Sequence, residues 1–140
     1  MNSKIDLVIP WVDGNDPEWQ VLKNTYMESE NLREIGDPGI RYQSWDNLQY
    51  IFRGIEKYMP WVNQVFFVTW GHLPDWLNTD CKNLVIVKHK DYIPAEYLPT
   101  FNSNVIEMNY FRISELSENF ILFNDDLFPI APIAEEYYFQ

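Results

Sequence analysis

The sequence has little of what defines several common classes of protein. Only one of its 140 residues is a cysteine, Cys81, so it can form neither an internal disulfide nor a multi-cysteine metal site. No apolar run approaches the roughly 20 residues that a membrane-spanning helix needs, and the N-terminus lacks the basic and apolar regions of a signal peptide. We therefore expect a cytoplasmic protein without a membrane span.

Positive charge is also scarce. The chain has ten Lys and Arg and 21 Asp and Glu, a net charge of −11. Extended binding to the phosphate backbone of a nucleic acid requires a positively charged surface instead. The glycine-rich loops that bind phosphate in dinucleotide-binding and P-loop proteins are absent as well. We expect no nucleic-acid partner, and a phosphate-bearing ligand would need a local site or a bound cation.

Hydrophobic and aromatic residues, in contrast, are abundant. They make up 46% and 17% of the chain, which excludes disorder driven by composition. No repeat or linker divides the sequence, so we expect residues 1–140 to form a single domain.

Local patterns predict an α/β fold. A stripe of apolar residues at spacings of three and four predicts an amphipathic helix between Ser44 and Pro60, and helices are also predicted within residues 17–29 and 102–113. Continuous apolar runs predict buried strands at 5–12, 65–69, 84–87 and 120–123. This alternation favours a mostly parallel sheet with helices on both faces.

Acidic residues follow two of the predicted strands. Asp13 and Asp16 come after the first strand, and Asp125 and Asp126 after the last. Ligands of open parallel sheets collect at the carboxyl ends of strands. Adjacent carboxylates repel each other unless a cation neutralises them, so Asp125 and Asp126 favour a site for Mg²⁺ or Mn²⁺. The alternative is that the pair caps the next segment or faces solvent.

The two histidines each have two interpretations. His72 follows the second strand and His89 follows the third. Either residue suits a proton carrier because its charge changes near neutral pH. Each suits equally well a polar position, in a loop for His72 and at a strand end for His89.

A series of motifs, in order and at compatible spacing, resembles the Stealth family of sugar-phosphate transferases. The family's opening block resembles residues 5–17, IDLVIPWVDGNDP. Its second block resembles RY at 41–42, DNL at 46–48, RGIEKY at 53–58, PWV at 60–62, VTWGHLPDWLN at 68–78, LPTFNSN at 98–104, IE at 106–107 and NDD at 124–126.

The resemblance implies a Rossmann-like nucleotide-sugar-binding domain, the N-terminal part of a longer transferase. The implied enzyme moves hexose 1-phosphate from a UDP-type nucleotide sugar to a glycan hydroxyl in capsular or exopolysaccharide synthesis, near the inner membrane face. Two alternatives remain: a metal-dependent glycosyltransferase that transfers the sugar alone, and a non-catalytic nucleotide-binding module. The family's later blocks would lie beyond Gln140, which leaves open whether this stretch is active by itself.

The resemblance also implies the residues of the site. Asp125 and Asp126 are the implied metal ligands and, with Arg53, the implied catalytic residues, although Asp125 also suits the base that takes the acceptor's proton. The turn at Gly14 would let the backbone approach the donor nucleotide. The implied substrate-binding residues are Trp11, Asp13, Gly14, Asp16, Arg41, Asp46, Asn47, Asn102 and Glu107.

Overall fold

The fold is built on a four-stranded sheet, seen in a computed structural model that describes residues 4–32, 42 and 45–139. All three strand pairings are parallel, and the strand order is β3-β2-β1-β4. The strands are β1 (Ile5–Trp11), β2 (Val65–Thr69), β3 (Leu84–Lys88) and β4 (Asn119–Leu122). The predicted α/β class and parallel sheet are confirmed.

The described residues form four α-helices, none of which is long and apolar enough to cross a bilayer. They are α1 (Pro17–Ser29), α2 (Leu48–Tyr58), α3 (His89–Tyr92) and α4 (Ser103–Met108). The helix predicted to continue to residue 113 instead ends at Met108, and a 3₁₀ helix spans Tyr110–Arg112. The side-chain amide of Asn109 donates to the Val105 carbonyl, 2.8 Å away, which the helical N–H of Asn109 would otherwise use.

Helices cover both faces of the sheet, as predicted, because successive side chains of a strand point to opposite sides. One face packs against α2 through the buried side chains of Ile5, Leu7, Ile9, Ile51 and Ile55. The other packs against α3 and α4 through Val8, Phe66, Val68, Tyr92 and Ile106.

The direction in which strands are added reverses between β1 and β4. The chain places β2 and β3 on one side of β1 and then returns to place β4 on the other. Val8 pairs with Leu122, and the N–H of Phe123 donates to the Val8 carbonyl at 2.9 Å. In open parallel sheets such a reversal leaves a crevice at the carboxyl ends of the strands, so the residues after β1 and β4 share one crevice.

A buried carboxylate joins the start of β1 to two distant segments. Asp6 lies in the middle of an apolar strand and is 0% exposed. Its Oδ1 accepts hydrogen bonds from Asn63 Nδ2 at 2.7 Å and from the backbone N–H of Gln64 at 3.1 Å. Its Oδ2 accepts one from the backbone N–H of Ser117 at 2.8 Å. Asp6 therefore ties together the segments that lead into β2 and β4.

Gly54 allows α2 to contact the segment that follows Asp126. A Cβ built on Gly54 would lie 2.7 Å from the carbonyl oxygen of Pro129. We expect Gly54→Ala to lower the free energy of unfolding by about 1–3 kcal/mol, because overpacking outweighs the gain in helix propensity of about 1 kcal/mol. Urea denaturation measures the change. Glu56→Ala, at an exposed position of the same helix, is the control, and a stabilised Gly54→Ala would contradict the contact.

Candidate functional site

A pocket of about 330 Å³ lies at the carboxyl ends of β1 and β4. Trp11 lines it from the end of β1, and Asp125 and Asp126 line it from the segment after β4. The residues that follow β3 and those around α4 supply further lining: His89, Thr100, Phe101, Ser103, Ile106 and Glu107. Of the predicted site residues, the structure brings together Trp11, Glu107, Asp125 and Asp126.

Asp125 and Asp126 carry uncompensated negative charge into this pocket. Among the described residues neither carboxylate has an ion-pair partner. The pKa of Asp125 is raised. The larger cause is that nearby protein atoms remove part of the water around its carboxylate, although the residue is exposed, and the smaller cause is the negative charge of Asp126. The pair therefore makes this end of the pocket electrostatically negative.

The donor set of this pair suits a magnesium-like ion. Within residues 4–32, 42 and 45–139, no group of three or more His, Cys, Asp and Glu side chains is arranged to hold a metal. Mg²⁺ does not require such a group, since proteins often bind it through one or two carboxylates together with water and substrate phosphates. The residues present fit a cation that binds together with a phosphate-bearing ligand.

His72 anchors the loop that follows β1. Its Nε2 accepts a hydrogen bond from the backbone N–H of Asp13 at 2.7 Å, so its Nδ1 carries the proton and donates to Asp16 Oδ2 at 3.2 Å. Asp16 Oδ1 accepts from the Trp19 N–H at 2.9 Å and so caps α1. The pKa of Asp16 is lowered, chiefly by the Trp19 N–H and further by His72. These contacts support the interpretation of His72 as a polar residue of a loop rather than as a proton carrier.

We expect His72→Leu to lower the free energy of unfolding by about 1–3 kcal/mol, because the Asp13 N–H would lose its acceptor. Amide hydrogen exchange at Asp13 should also accelerate. His72→Gln, whose amide oxygen can replace Nε2 as an acceptor, should recover part of the loss. Unchanged exchange at Asp13 in His72→Leu would show that this hydrogen bond does not hold the loop.

The other predicted residues near β1 and α4 lie beside the pocket rather than in its lining. Asp13, Gly14 and Asp16 form the loop that His72 anchors. A Cβ on Gly14 would collide with the backbone oxygen of Tyr42. Packing within the protein therefore explains the glycine without an approach of the donor nucleotide. Asn102 caps α4 by accepting a hydrogen bond from the Asn104 N–H at 3.0 Å.

The structure does not bring Arg53 to the aspartate pair. Its guanidinium lies over the Tyr50 ring, 5.5 Å from the ring centre, and it lines a different pocket, of about 630 Å³, against α2. Asp46 and Asn47 immediately precede α2 and do not line the pocket of the aspartates. Arg41 lies outside the described residues.

His89 is a pocket residue whose environment the sequence did not reveal. It is only 3% exposed, and its Nδ1 has no hydrogen-bond partner among the residues that the structure describes. Burial lowers its pKa to about 4, so the imidazole is neutral at physiological pH and poorly matched to proton transfer there. His89 does lie at the end of β3, as the sequence suggested, but its side chain is buried because the alternation of β3 continues past the strand: Val87 and His89 are buried, whereas Lys90 is exposed.

The fold and the pocket together define a parallel α/β domain with an acidic pocket at its topological switch point. Residues 3–30 match the family model of Stealth protein CR1, conserved region 1, and residues 41–140 match that of Stealth protein CR2, conserved region 2. The chain belongs to the Stealth family.

Curated relatives of this chain are named as polysaccharide phosphotransferases. It is 51% identical over 140 residues to the capsular polysaccharide phosphotransferase WcwK of Streptococcus pneumoniae, a match that covers 100% of the chain and 42% of the relative. It is 42% identical over 139 residues to the receptor polysaccharide phosphotransferase WefC of Streptococcus oralis, covering 99% and 42%. It is 43% identical over 136 residues to the capsular polysaccharide phosphotransferase CpsJ of Streptococcus thermophilus, covering 96% and 57%. The chain thus spans about half the length of these relatives.

Proposed function

We propose that this chain is the donor-binding part of a sugar-1-phosphate transferase that acts in capsular or exopolysaccharide synthesis. The donor would be a UDP-sugar and the acceptor a glycan hydroxyl. The observation that carries this proposal is the convergence of Trp11, Glu107, Asp125 and Asp126 on one pocket at the switch point of the sheet. The names of the relatives, capsular and receptor polysaccharide phosphotransferases, support the reaction class.

The reaction would transfer the phosphate together with the sugar. The acceptor oxygen would form a bond to the phosphorus that carries the sugar, the bridge between the two phosphorus atoms would break, and UMP would leave. Such transfers depend mainly on positioning and on neutralising negative charge. Asp125 and Asp126 would hold a Mg²⁺ or Mn²⁺ ion, and a divalent ion bound there would neutralise charge on the diphosphate.

The remaining pocket residues would position the donor. Trp11 packs against Phe67, whose ring stacks on it with centroids 5.7 Å apart, and makes a T-shaped contact with His72, with centroids 5.2 Å apart. It would therefore give the nucleobase or the sugar a rigid aromatic wall. Glu107 would accept hydrogen bonds from sugar hydroxyls. The raised pKa of Asp125 also suits a group that takes up the acceptor's proton, the second role open to this residue.

Capsule synthesis would place the protein in the cytoplasm, associated peripherally with the inner membrane face. The negative charge of the chain, −11, would disfavour direct adsorption to anionic lipid. We therefore propose that any association with the membrane depends on the glycan acceptor rather than on this surface.

Product analysis tests the proposed reaction. The protein, expressed from its complete gene, is incubated with Mg²⁺, capsular oligosaccharides and UDP-glucose, UDP-galactose or UDP-N-acetylglucosamine. We expect UMP and a sugar linked through a phosphodiester, detected by mass spectrometry and ³¹P NMR. Release of UDP with a directly linked sugar would identify a glycosyltransferase instead, and donor binding without either product would identify a non-catalytic module.

A further inference from the structure

We propose that His89 binds an uncharged hydroxyl group of the donor, a role that rests on the proposed function and extends it to a residue outside the predicted site. His89 lines the same pocket as Asp125 and Asp126. It is 3% exposed, and within residues 4–32, 42 and 45–139 its Nδ1 lacks a hydrogen-bond partner. A residue of the pocket wall thus carries a polar atom that the described part of the chain does not satisfy.

An unsatisfied buried nitrogen is informative because it is costly. A buried polar atom without a partner costs about 1–3 kcal/mol, and folded proteins satisfy nearly all such atoms. Apolar side chains are accommodated elsewhere in the same wall, at Phe101 and Ile106. A histidine at this position therefore suits a partner that arrives with the ligand. Because Nδ1 is itself shielded from solvent, the ring would turn about its Cβ–Cγ bond to present this nitrogen to the pocket.

The chemistry of the partner follows from the charge state of the ring. Burial lowers the pKa of His89 to about 4, so at neutral pH the ring carries one N–H donor and one acceptor nitrogen and no charge. It cannot attract a phosphate as a cation would. Thr100 and Ser103, which also line the pocket, carry hydroxyls suited to uncharged polar groups. A UDP-sugar has such hydroxyls on its sugar and on its ribose.

Two hydrogen bonds hold the backbone around His89. His89 is the first residue of α3, immediately after β3. The Lys88 N–H donates to Asp91 Oδ2 at 2.8 Å, and the Ile93 N–H donates to the His89 carbonyl at 2.9 Å. A binding residue supported in this way loses little freedom when the ligand arrives.

Two variants at this position separate binding from folding. His89→Leu removes the polar atoms, whereas His89→Asn keeps an amide near the location of Nδ1. The protein, expressed from its complete gene, is titrated calorimetrically with UDP-glucose, UDP-N-acetylglucosamine and UDP in the presence of Mg²⁺, and its thermal midpoint is measured without ligand. Lys90→Ala, at the exposed neighbouring position, is the control and should change neither measurement.

We expect His89→Leu to weaken binding of the UDP-sugars by about 5- to 30-fold while leaving the thermal midpoint unchanged or higher. His89→Asn should restore most of the affinity. Weaker binding of the UDP-sugars alone assigns the hydroxyl to the sugar, and equally weaker binding of UDP assigns it to the ribose. Unchanged affinities, or a lower midpoint with unchanged affinities, overturn the inference. If the wild-type protein binds none of the three probes, the proposed function itself is contradicted, and the proposed role of His89 is rejected together with it.

Discussion

Asp125→Asn and Asp126→Asn should each reduce transfer by about 100-fold or more, the loss that follows removal of one electrostatic stabiliser from an active site. Each variant removes one of the two carboxylates proposed to hold the cation, while the shape of the side chain is kept. The measurement is UMP release by the protein expressed from its complete gene. Asp75→Asn, exposed and outside this pocket, is the matched control. Wild-type turnover in either pocket variant would exclude this pair from the site.

The same substitution at Asp125 should have the opposite effect on stability. The raised pKa of Asp125 means that the folded state disfavours the ionised form, so the wild type becomes less stable as the pH rises through this pKa. Without added cation, Asp125→Asn should therefore have a higher thermal midpoint than the wild type at pH 7, and the difference should shrink as the pH falls and Asp125 becomes protonated. A lower midpoint at pH 7 would contradict the raised pKa.

Asp6→Ala should be the most destabilising of the substitutions considered, lowering the free energy of unfolding by about 3–5 kcal/mol, because each buried donor left without an acceptor costs about 1–3 kcal/mol. It would leave three buried donors, Asn63 Nδ2 and the N–H groups of Gln64 and Ser117, without their acceptor. The midpoint and slope of urea denaturation give the change.

Two controls make the result at Asp6 specific. Asp6→Asn keeps one acceptor oxygen and should lose less stability than Asp6→Ala. Asp75→Ala removes a carboxylate from an exposed position and should change stability by less than about 0.5 kcal/mol. If Asp6→Ala cost no more than Asp75→Ala, the hydrogen bonds of Asp6 would not contribute to the fold.

The comparison of Asp6 with Asp125 shows how environment divides one residue type between two roles. Asp6 is enclosed and accepts hydrogen bonds from three donors. Asp125 is adjacent to a second carboxylate, that of Asp126, and has no ion-pair partner among the described residues. A carboxylate with all its hydrogen bonds made stabilises the fold, whereas one left uncompensated at a pocket is available to a ligand.

Elements that depend on local pattern could be predicted well. Residues 65–69 form β2 as expected, and α2 ends at Tyr58, before Pro60. Apolar runs and helical periodicity are properties of neighbouring residues, so they survive in the folded chain. The position of Asp125 and Asp126 followed from the same logic, because residues after parallel strands meet at one edge of the sheet.

Groups whose partners are distant in sequence could not be assigned in this way. Arg53 was implied as a catalytic residue beside Asp125 and Asp126, yet the structure places it in the pocket against α2, since its position depends on how that helix packs. Asp6 lies 57 residues from Asn63 and 111 from Ser117, and no local sequence pattern predicts those hydrogen bonds.

The sequence by itself determined the strands, the main helices, the acidic pair at the end of the last strand and the likeness to the Stealth family. Only the tertiary structure decided that β4 lies beside β1, that His72 anchors a loop, and that His89 is buried in the wall of the pocket with an unsatisfied nitrogen. The reason is physical: hydrophobic periodicity is set by adjacent residues, whereas burial and hydrogen-bond satisfaction depend on which distant segments pack together.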